Sequence, residues 1–292
     1  PGTILGELLP AVTEEIGLPG QVPVIAVGTH DTASAVAAIP GLDSDSMYIS
    51  SGTWSLVGIE TDRPILTEQA RTLNFTNEGG VNNTIRFLKN VGGLWLLQEC
   101  QRNWQSVGLN YTWADLVALA KSAEPLRSIV DPDAPDFLNP PDMLAAIRAY
   151  CLRTDQPEPT TPGQVVRCCL ESLALKYWWV LNSLEEIVGH ELDTIRVVGG
   201  GSQNALLCQF TADACNRRVV SGPVEATALG NVLVQAVATG YVADIEAGRR
   251  AVAASFLQDI YEPRASQNWE AAYEHMVALM QPAREVAQAY PV

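Results

Sequence analysis

The stretch Gly28-Thr29-His30-Asp31-Thr32-Ala33-Ser34-Ala35 stands where the apolar run Val22 to Val27 ends and an Ala-rich helical stretch begins. A strand that feeds an acid directly into a helix is one half of an α/β unit. A second junction, Ser50-Ser51-Gly52-Thr53-Trp54-Ser55, follows the run Met47 to Ser50 and turns over Gly52-Thr53 into another strand, Trp54 to Ile59. An exposed carboxylate at a strand end, beside a small polar turn suited to an oxyanion, is what phosphoryl transfer from a nucleotide requires. A third element, Val197-Val198-Gly199-Gly200-Gly201-Ser202-Gln203-Asn204, places three glycines after a strand. Such a run costs backbone entropy, and close approach of a ligand or another chain segment offsets that cost.

Composition narrows the classes. With 292 residues, 47% of them hydrophobic, the chain can bury a full core in one large domain or two smaller ones. It contains no apolar run of transmembrane length and no signal-peptide pattern, so it reads as soluble and cytoplasmic. A formal net charge of -15 with no basic cluster repels nucleic acid and anionic membrane, so neither is expected as a partner. Backbone N–H groups and a divalent cation would have to hold any anionic ligand. The six cysteines (Cys100, Cys151, Cys168, Cys169, Cys208, Cys215) include no C-x-x-C pair beside histidine, so no metal site is expected from them. Cys208 and Cys215 lie seven apart on one expected helix, roughly 10 Å of rise, too far for a disulfide. Cys151 and Cys168 can approach across the Pro157–Pro162 loop, where free thiols suit a cytosolic chain better.

Along the chain, residues 1–21 read as a helix with Leu5, Leu8, Leu9, Val12 and Ile16 on one face. Phe75 to Gly80 looks like a turn, Thr84 to Leu88 a strand, and Lys89 to Gly93 the opening of a helix carrying Leu94, Trp95, Leu97 and Gln98. Helices are expected near 112–122 and 140–153. The longest covers 162–188, begun by Thr161-Pro162 and stopped at Gly189. Two strand–turn–helix units follow: Thr194 to Val198 before Ala205–Cys215, and Arg218 to Val220 before Ala226–Thr239. Hairpins mixed with strand–helix units imply an α/β fold with a mixed sheet and flanking helices.

Each candidate has a plainer reading. Asp31 also fits a common N-cap aspartate, and Gly52-Thr53 a simple hairpin turn. The triple glycine resembles a dinucleotide fingerprint, but Asn204 replaces the third glycine and the next strand ends in Ser221-Gly222 rather than an acid. No G-x-S-x-G elbow and no G-x-x-x-x-G-K-[ST] loop is present.

The ordered set HDTASAV (30–36), SSGTWSLVG (50–58), NEGG (77–80), LKNVGGLWLLQ (88–98), SLALKY (172–177), VVGGGSQN (197–204), ADAC (212–215) and GPVEATALGN (222–231) resembles the C-terminal part of the FGGY carbohydrate kinases, of the actin-like ATPase (ribonuclease H-like) fold. The resemblance, running from about residue 20 to residue 240, is to the members that act on L-rhamnulose. It implies ATP- and Mg2+-dependent phosphorylation of the terminal hydroxyl, giving L-rhamnulose 1-phosphate. Carried over residue by residue, it implies Asp31 as catalytic base, with His30, Asp31, Thr32 and Asn90 on the sugar. It also implies Thr53 on phosphate, Gln98 and Gly200 on the nucleotide, and Gly199, Gly201 and Asn204 shaping the adenosine pocket.

The chain departs from that pattern in lacking the Asp-x-Gly-Thr phosphate loop of the N-terminal lobe. It starts at Pro1, so it is expected to be roughly the last three-fifths of a kinase. Residues 1–44 would then be the remnant of the first lobe with the catalytic Asp31, and 45–292 the C-terminal nucleotide-binding lobe. The first lobe becomes an expected partner, and the strand Val22 to Val27, without its sheet neighbours, an expected site of self-association. Neighbouring ketoses such as fuculose or xylulose, and a non-catalytic actin-like nucleotide-binding module, are the alternatives.

Overall fold

A computed structural model describes residues 1–265 and 268–289. In chain order the elements are β1 (Ile4–Glu7), α1 (Pro10–Glu15), β2 (Pro23–Ile25), α2 (Asp31–Ala37), β3 (Ser46–Ser51), β4 (Ser55–Thr61) and α3 (Glu68–Thr72). There follow β5 (Thr76–Gly79), β6 (Ile85–Val91), α4 (Trp95–Ser106), α5 (Trp113–Ser122), α6 (Met143–Arg153) and α7 (Pro162–Val188). The chain continues through β7 (Thr194–Val198), α8 (Ala205–Cys215), β8 (Arg218–Ser221), α9 (Ala226–Ala238), α10 (Ile245–Ser255), β9 (Ile260–Tyr261) and α11 (Trp269–Ala289).

Seven strands form one mixed sheet in the order β5-β6-β4-β3-β7-β8-β9. β3, β7 and β8 run parallel, and the remaining pairings are antiparallel. Alternation along β3 shows why both faces are covered. Met47 and Ile49 point into the larger core with α4, α5, α6, α7 and α8. Tyr48 points the other way, onto Ala35, Val36 and Ile39 from α2 and its exit, and Ala226 of α9. The result is a three-layer α/β/α body, as expected for an actin-like ATPase lobe.

Helix α7 is buried for most of its 27 residues. Thr161 accepts from Gln164 N–H, Gln164 caps in return, Pro162 stands at N1, and Gly189 ends the helix in the left-handed region at φ 79°. Lys176, only 2% exposed, sits inside the body with Asp131 Oδ1 at 2.7 Å and Asp133 Oδ2 at 2.9 Å. Burial alone would push its ammonium down, but Asp133 and Asp131 outweigh that and the net shift is upward. Asp133 in turn accepts the Gly92 N–H at 2.8 Å, so this ion cluster reaches the loop that enters α4. All six cysteines are buried free thiols, and Cys151 and Cys168 share a hydrogen bond.

Three sequence expectations are corrected. Residues 1–21 are not one helix: Ile4–Glu7 is a strand paired with β2, and only Pro10–Glu15 is helical. Pro10 starts that helix and has no N–H to continue an earlier one. Phe75 to Gly80 is not merely a turn, because Thr76–Gly79 forms edge strand β5 against β6. Lys89, Asn90 and Val91 end strand β6, and α4 begins only at Trp95. The β1–β2 pair forms a separate sheet of two strands.

Candidate active site

The C-terminal ends of β3 and β7 and the N-terminal ends of α2 and α9 open on one cleft of about 770 Å³. The carboxyl ends of the parallel strands are where open α/β sheets bind ligands. Asp31, the first residue of α2, keeps a side chain 75% exposed. Its Oδ1 accepts the Thr32 N–H at 2.7 Å. His30 is the N-cap residue, yet its side chain makes no capping bond, and the ring turns instead along the cleft wall.

The β3–β4 hairpin supplies the floor. Gly52 N–H donates to Trp54 O at 2.8 Å, closing the turn, and Gly52 O and Thr53 O accept from Leu94 and Trp95 N–H at the start of α4. Thr53 Oγ1 donates to Gln98 Oε1 at 3.0 Å on the exposed rim. Beneath the turn, Ser55 Oγ and Tyr177 OH share a buried hydrogen bond of 2.7 Å. Burial pushes the Tyr177 phenol up to about 12, so it stays neutral at physiological pH.

The three glycines do different work. Gly199 has φ 84°, and a Cβ there would press on the Ser51 carbonyl. A Cβ on Gly201 would overlap the Ser51 hydroxyl, so that glycine is set by packing against β3. Gly200 faces open space, and it lines the cleft. Of the three, Gly199 and Gly200 line the cleft and Gly201 does not.

Of the residues singled out in the sequence, His30, Asp31, Thr32, Asn90, Gly199 and Gly200 line this cleft together. Thr53 and Gln98 pair with each other beside it, next to the cleft-lining Gly52. Gly201 and Asn204 lie behind the wall. Asn204 is the N-cap of α8, its side chain accepting the Leu207 N–H at 3.1 Å. Sequence reasoning missed Trp54, Glu78, Glu225 and Thr227, which also line the cleft. The strings NEGG and GPVEATALGN contained three of them, but without a strand at 76–79 nothing aimed Glu78 at His30.

The backbone at Gly200 is open to the cleft, with nothing within 4 Å of where a side chain would begin. Mg2+ keeps several waters and needs only one or two carboxylates beside phosphate oxygens. Asp31 and Glu225 line the cleft and suit such a nucleotide-borne ion. Among the described residues no group of three or more His, Cys, Asp or Glu side chains is arranged as a metal site. None of the described helices is long and apolar enough to cross a membrane.

Residues 47–239 match the sequence profile of the FGGY family of carbohydrate kinases, C-terminal domain. A rhamnulokinase of Bacteroides thetaiotaomicron is 49% identical over 275 residues, which is 94% of this chain and 56% of the relative. A rhamnulokinase of Enterococcus faecalis is 46% identical, covering 90% of this chain and 53% of the relative. The chain therefore spans about half the length of the curated relatives it matches. A xylulose kinase from Rhodospirillum rubrum shares the fold at a TM-score of 0.69 and 17% identity, over 97% of this chain and 57% of that one. The chain belongs to the FGGY family of carbohydrate kinases, and residues 47–239 carry that family's C-terminal domain.

Proposed function

We propose that this chain is the nucleotide-binding part of a cytoplasmic, ATP- and Mg2+-dependent kinase that converts L-rhamnulose to L-rhamnulose 1-phosphate. The observation that carries this reading is Asp31, exposed in the same cleft as the open backbone of Gly199-Gly200. Asp31 takes the proton from the terminal sugar hydroxyl as that oxygen bonds to the γ-phosphorus and the bond to the ADP oxygen breaks. His30, Thr32 and Asn90 hold the sugar beside it, while Thr53 and Gln98 meet the nucleotide at the rim. Mg2+ screens the phosphate charge, which suits a cleft lined by no lysine or arginine among the described residues.

A first lobe, of the length by which the relatives exceed this chain, supplies the rest of the sugar pocket. The division at residue 44 is part of this proposal, as is self-association when that lobe is absent. Ile4, Leu5, Leu9 and Ile16 are all more than half exposed, which supports a covering partner there. The test is a coupled ADP-release assay over a ketose panel, using this chain alone and joined to a full N-terminal lobe. Turnover of L-rhamnulose above fuculose and xylulose by the joined protein, with negligible turnover by the chain alone, is expected. A rate of about 1–100 per second from the chain alone, the ordinary kinase range, would overturn the need for the first lobe.

A further inference from the structure

Glu78 lies outside every role assigned so far. It sits on edge strand β5, directly opposite Arg86 of β6. Arg86 is 1% exposed, and its Nη2 donates to Glu78 Oε2 at 2.9 Å while Nε donates to the Gly79 carbonyl at 3.2 Å. A guanidinium held at two points and sealed from water fixes the carboxylate it pairs with. That carboxylate remains partly open, and it faces the cleft.

His30 stands between this fixed acid and Asp31. Its Nδ1 is 3.6 Å from Glu78 Oε2, and its Nε2 is 3.6 Å from Asp31 Oδ1. The ring is about half exposed and makes no capping bond to α2. An exposed histidine with no such anchor hops among rotamers. On the other side, Asp31 Oδ1 is already engaged by the Thr32 N–H at 2.7 Å and the Thr32 hydroxyl at 3.3 Å on a side chain 75% exposed, so Glu78 is the anchor tied to the protein interior. Arg86, Glu78, His30 and Asp31 thus form a string of neighbouring polar groups that starts inside the protein and ends at the reacting carboxylate.

We propose that Glu78 is a positioning residue, which fixes the His30 ring so that Nε2 is turned on Asp31 and on the sugar hydroxyl next to it. The proposal rests on the reading of this cleft as the sugar and phosphoryl-transfer site. Glu78 acts through His30, not by touching the γ-phosphate, so its loss falls on sugar use and spares ATP. A merely structural Glu78, the counterion of buried Arg86, would instead weaken the β5–β6 edge and affect both substrates alike.

Two measurements separate these roles, and Glu78→Gln is the variant to use because its amide still accepts from Arg86. The first needs no turnover. NMR side-chain couplings of His30 in this chain should report one ring orientation, and rotamer averaging in Glu78→Gln at unchanged melting temperature. An unchanged ring overturns the proposal whether or not the chain is a kinase. The second is a double-mutant cycle on the protein joined to its first lobe. Glu78→Gln and His30→Gln should each lower kcat/KM for the sugar about tenfold, and together no more than about tenfold, with KM for ATP within about twofold. Multiplying effects, or an equal rise in KM for ATP, would overturn the role through His30. Absence of any turnover from the joined parent would overturn the kinase reading alone, since the ring measurement still decides the positioning.

Discussion

Two antiparallel strand pairs in this chain have met opposite fates. In the β3–β4 hairpin, Met47, Tyr48, Ile49 and Val57 are 0% exposed. In the β1–β2 pair all four residues of β1 are exposed, Leu5 at 68%. Both segments are apolar enough to be core. The hairpin has α2 and α9 on one face and α7 and α8 on the other, whereas among the described residues no hydrophobic cluster includes a residue of β1 or β2, and the neighbouring α1 buries Thr13 alone. An apolar strand states what it needs and leaves open whether the chain can supply it. The covered pair carries the cleft; the uncovered pair offers the apolar surface on which the proposed first lobe would sit.

The largest effect that sharpens this contrast is at the cleft. In protein joined to its first lobe, Asp31→Asn should lower kcat by about 10²–10⁴-fold, since an amide keeps the shape and cannot take the proton. Calorimetric affinity for ATP should stay within about twofold. A loss of kcat below about tenfold would remove Asp31 as the base and break the link between covered strands and chemistry.

Next is the interior that supports the hairpin. Lys176→Met leaves Asp131 buried without its cation, removes the partner of the more open Asp133, and should cost about 3–5 kcal/mol in denaturant unfolding at pH 7. The folded-state value of Lys176 is raised, so its contribution is fully present below the ordinary lysine value, about 10.4, and is lost as pH rises through the folded one. The gap between parent and variant should therefore hold from neutral pH to about pH 10 and close above it. A gap that closed between pH 6 and 8 would point to a different group.

A smaller effect separates binding from folding within the glycine run. Gly200→Val enters open cleft space and should weaken ATP binding about tenfold or more, with little change in melting temperature. Gly201→Ala should do the reverse, because its methyl overlaps the Ser51 hydroxyl. Unchanged ATP affinity in Gly200→Val would return both glycines to packing.

The smallest effect is expected at β1. Leu5→Asp and Leu9→Glu lie on exposed positions and should change the stability of this chain by no more than about 0.5 kcal/mol. They should nonetheless reduce self-association in sedimentation, and impair activation by a separately added first lobe. A loss above about 2 kcal/mol in the chain alone would mean the segment is already covered.

The sequence was most readable where local chemistry and tertiary packing agree. Thr161, Pro162 and Gly189 bound α7 by capping rules alone, and Ala205–Cys215 and the Gly52 turn stand where periodicity put them. It misled where a spacing had two meanings. Leu5, Leu8, Leu9, Val12 and Ile16 suit one helix face, yet the first of these lies in a strand that only its pairing with β2 defines. Phe75 to Gly80 has turn composition, and its strand exists because β6 offers a partner across the left-handed Asn82-Asn83. The cleft followed the same rule. Asp31 and Gly200 were legible from motifs, whereas Glu78 needed that unexpected strand to reach His30. Asn204 also caps α8, a local role its place before that helix already allowed.

Helices α2 and α9 touch backbone to backbone. A methyl on Gly230 would overlap the Ser34 carbonyl, and Ser34 Oγ donates to Asn231 Oδ1 at 2.7 Å. Each helix begins at the cleft, α2 with Asp31 and α9 with Thr227 in its first turn. Helices meshed this closely have no slack side chains to absorb a relative slide, so the two behave as one stiff rod pair. Asp31 therefore cannot advance on a substrate by itself. In the proposed reaction, a movement that shuts the cleft is then made by whatever faces this pair, with Asp31 acting as the anvil rather than the hammer.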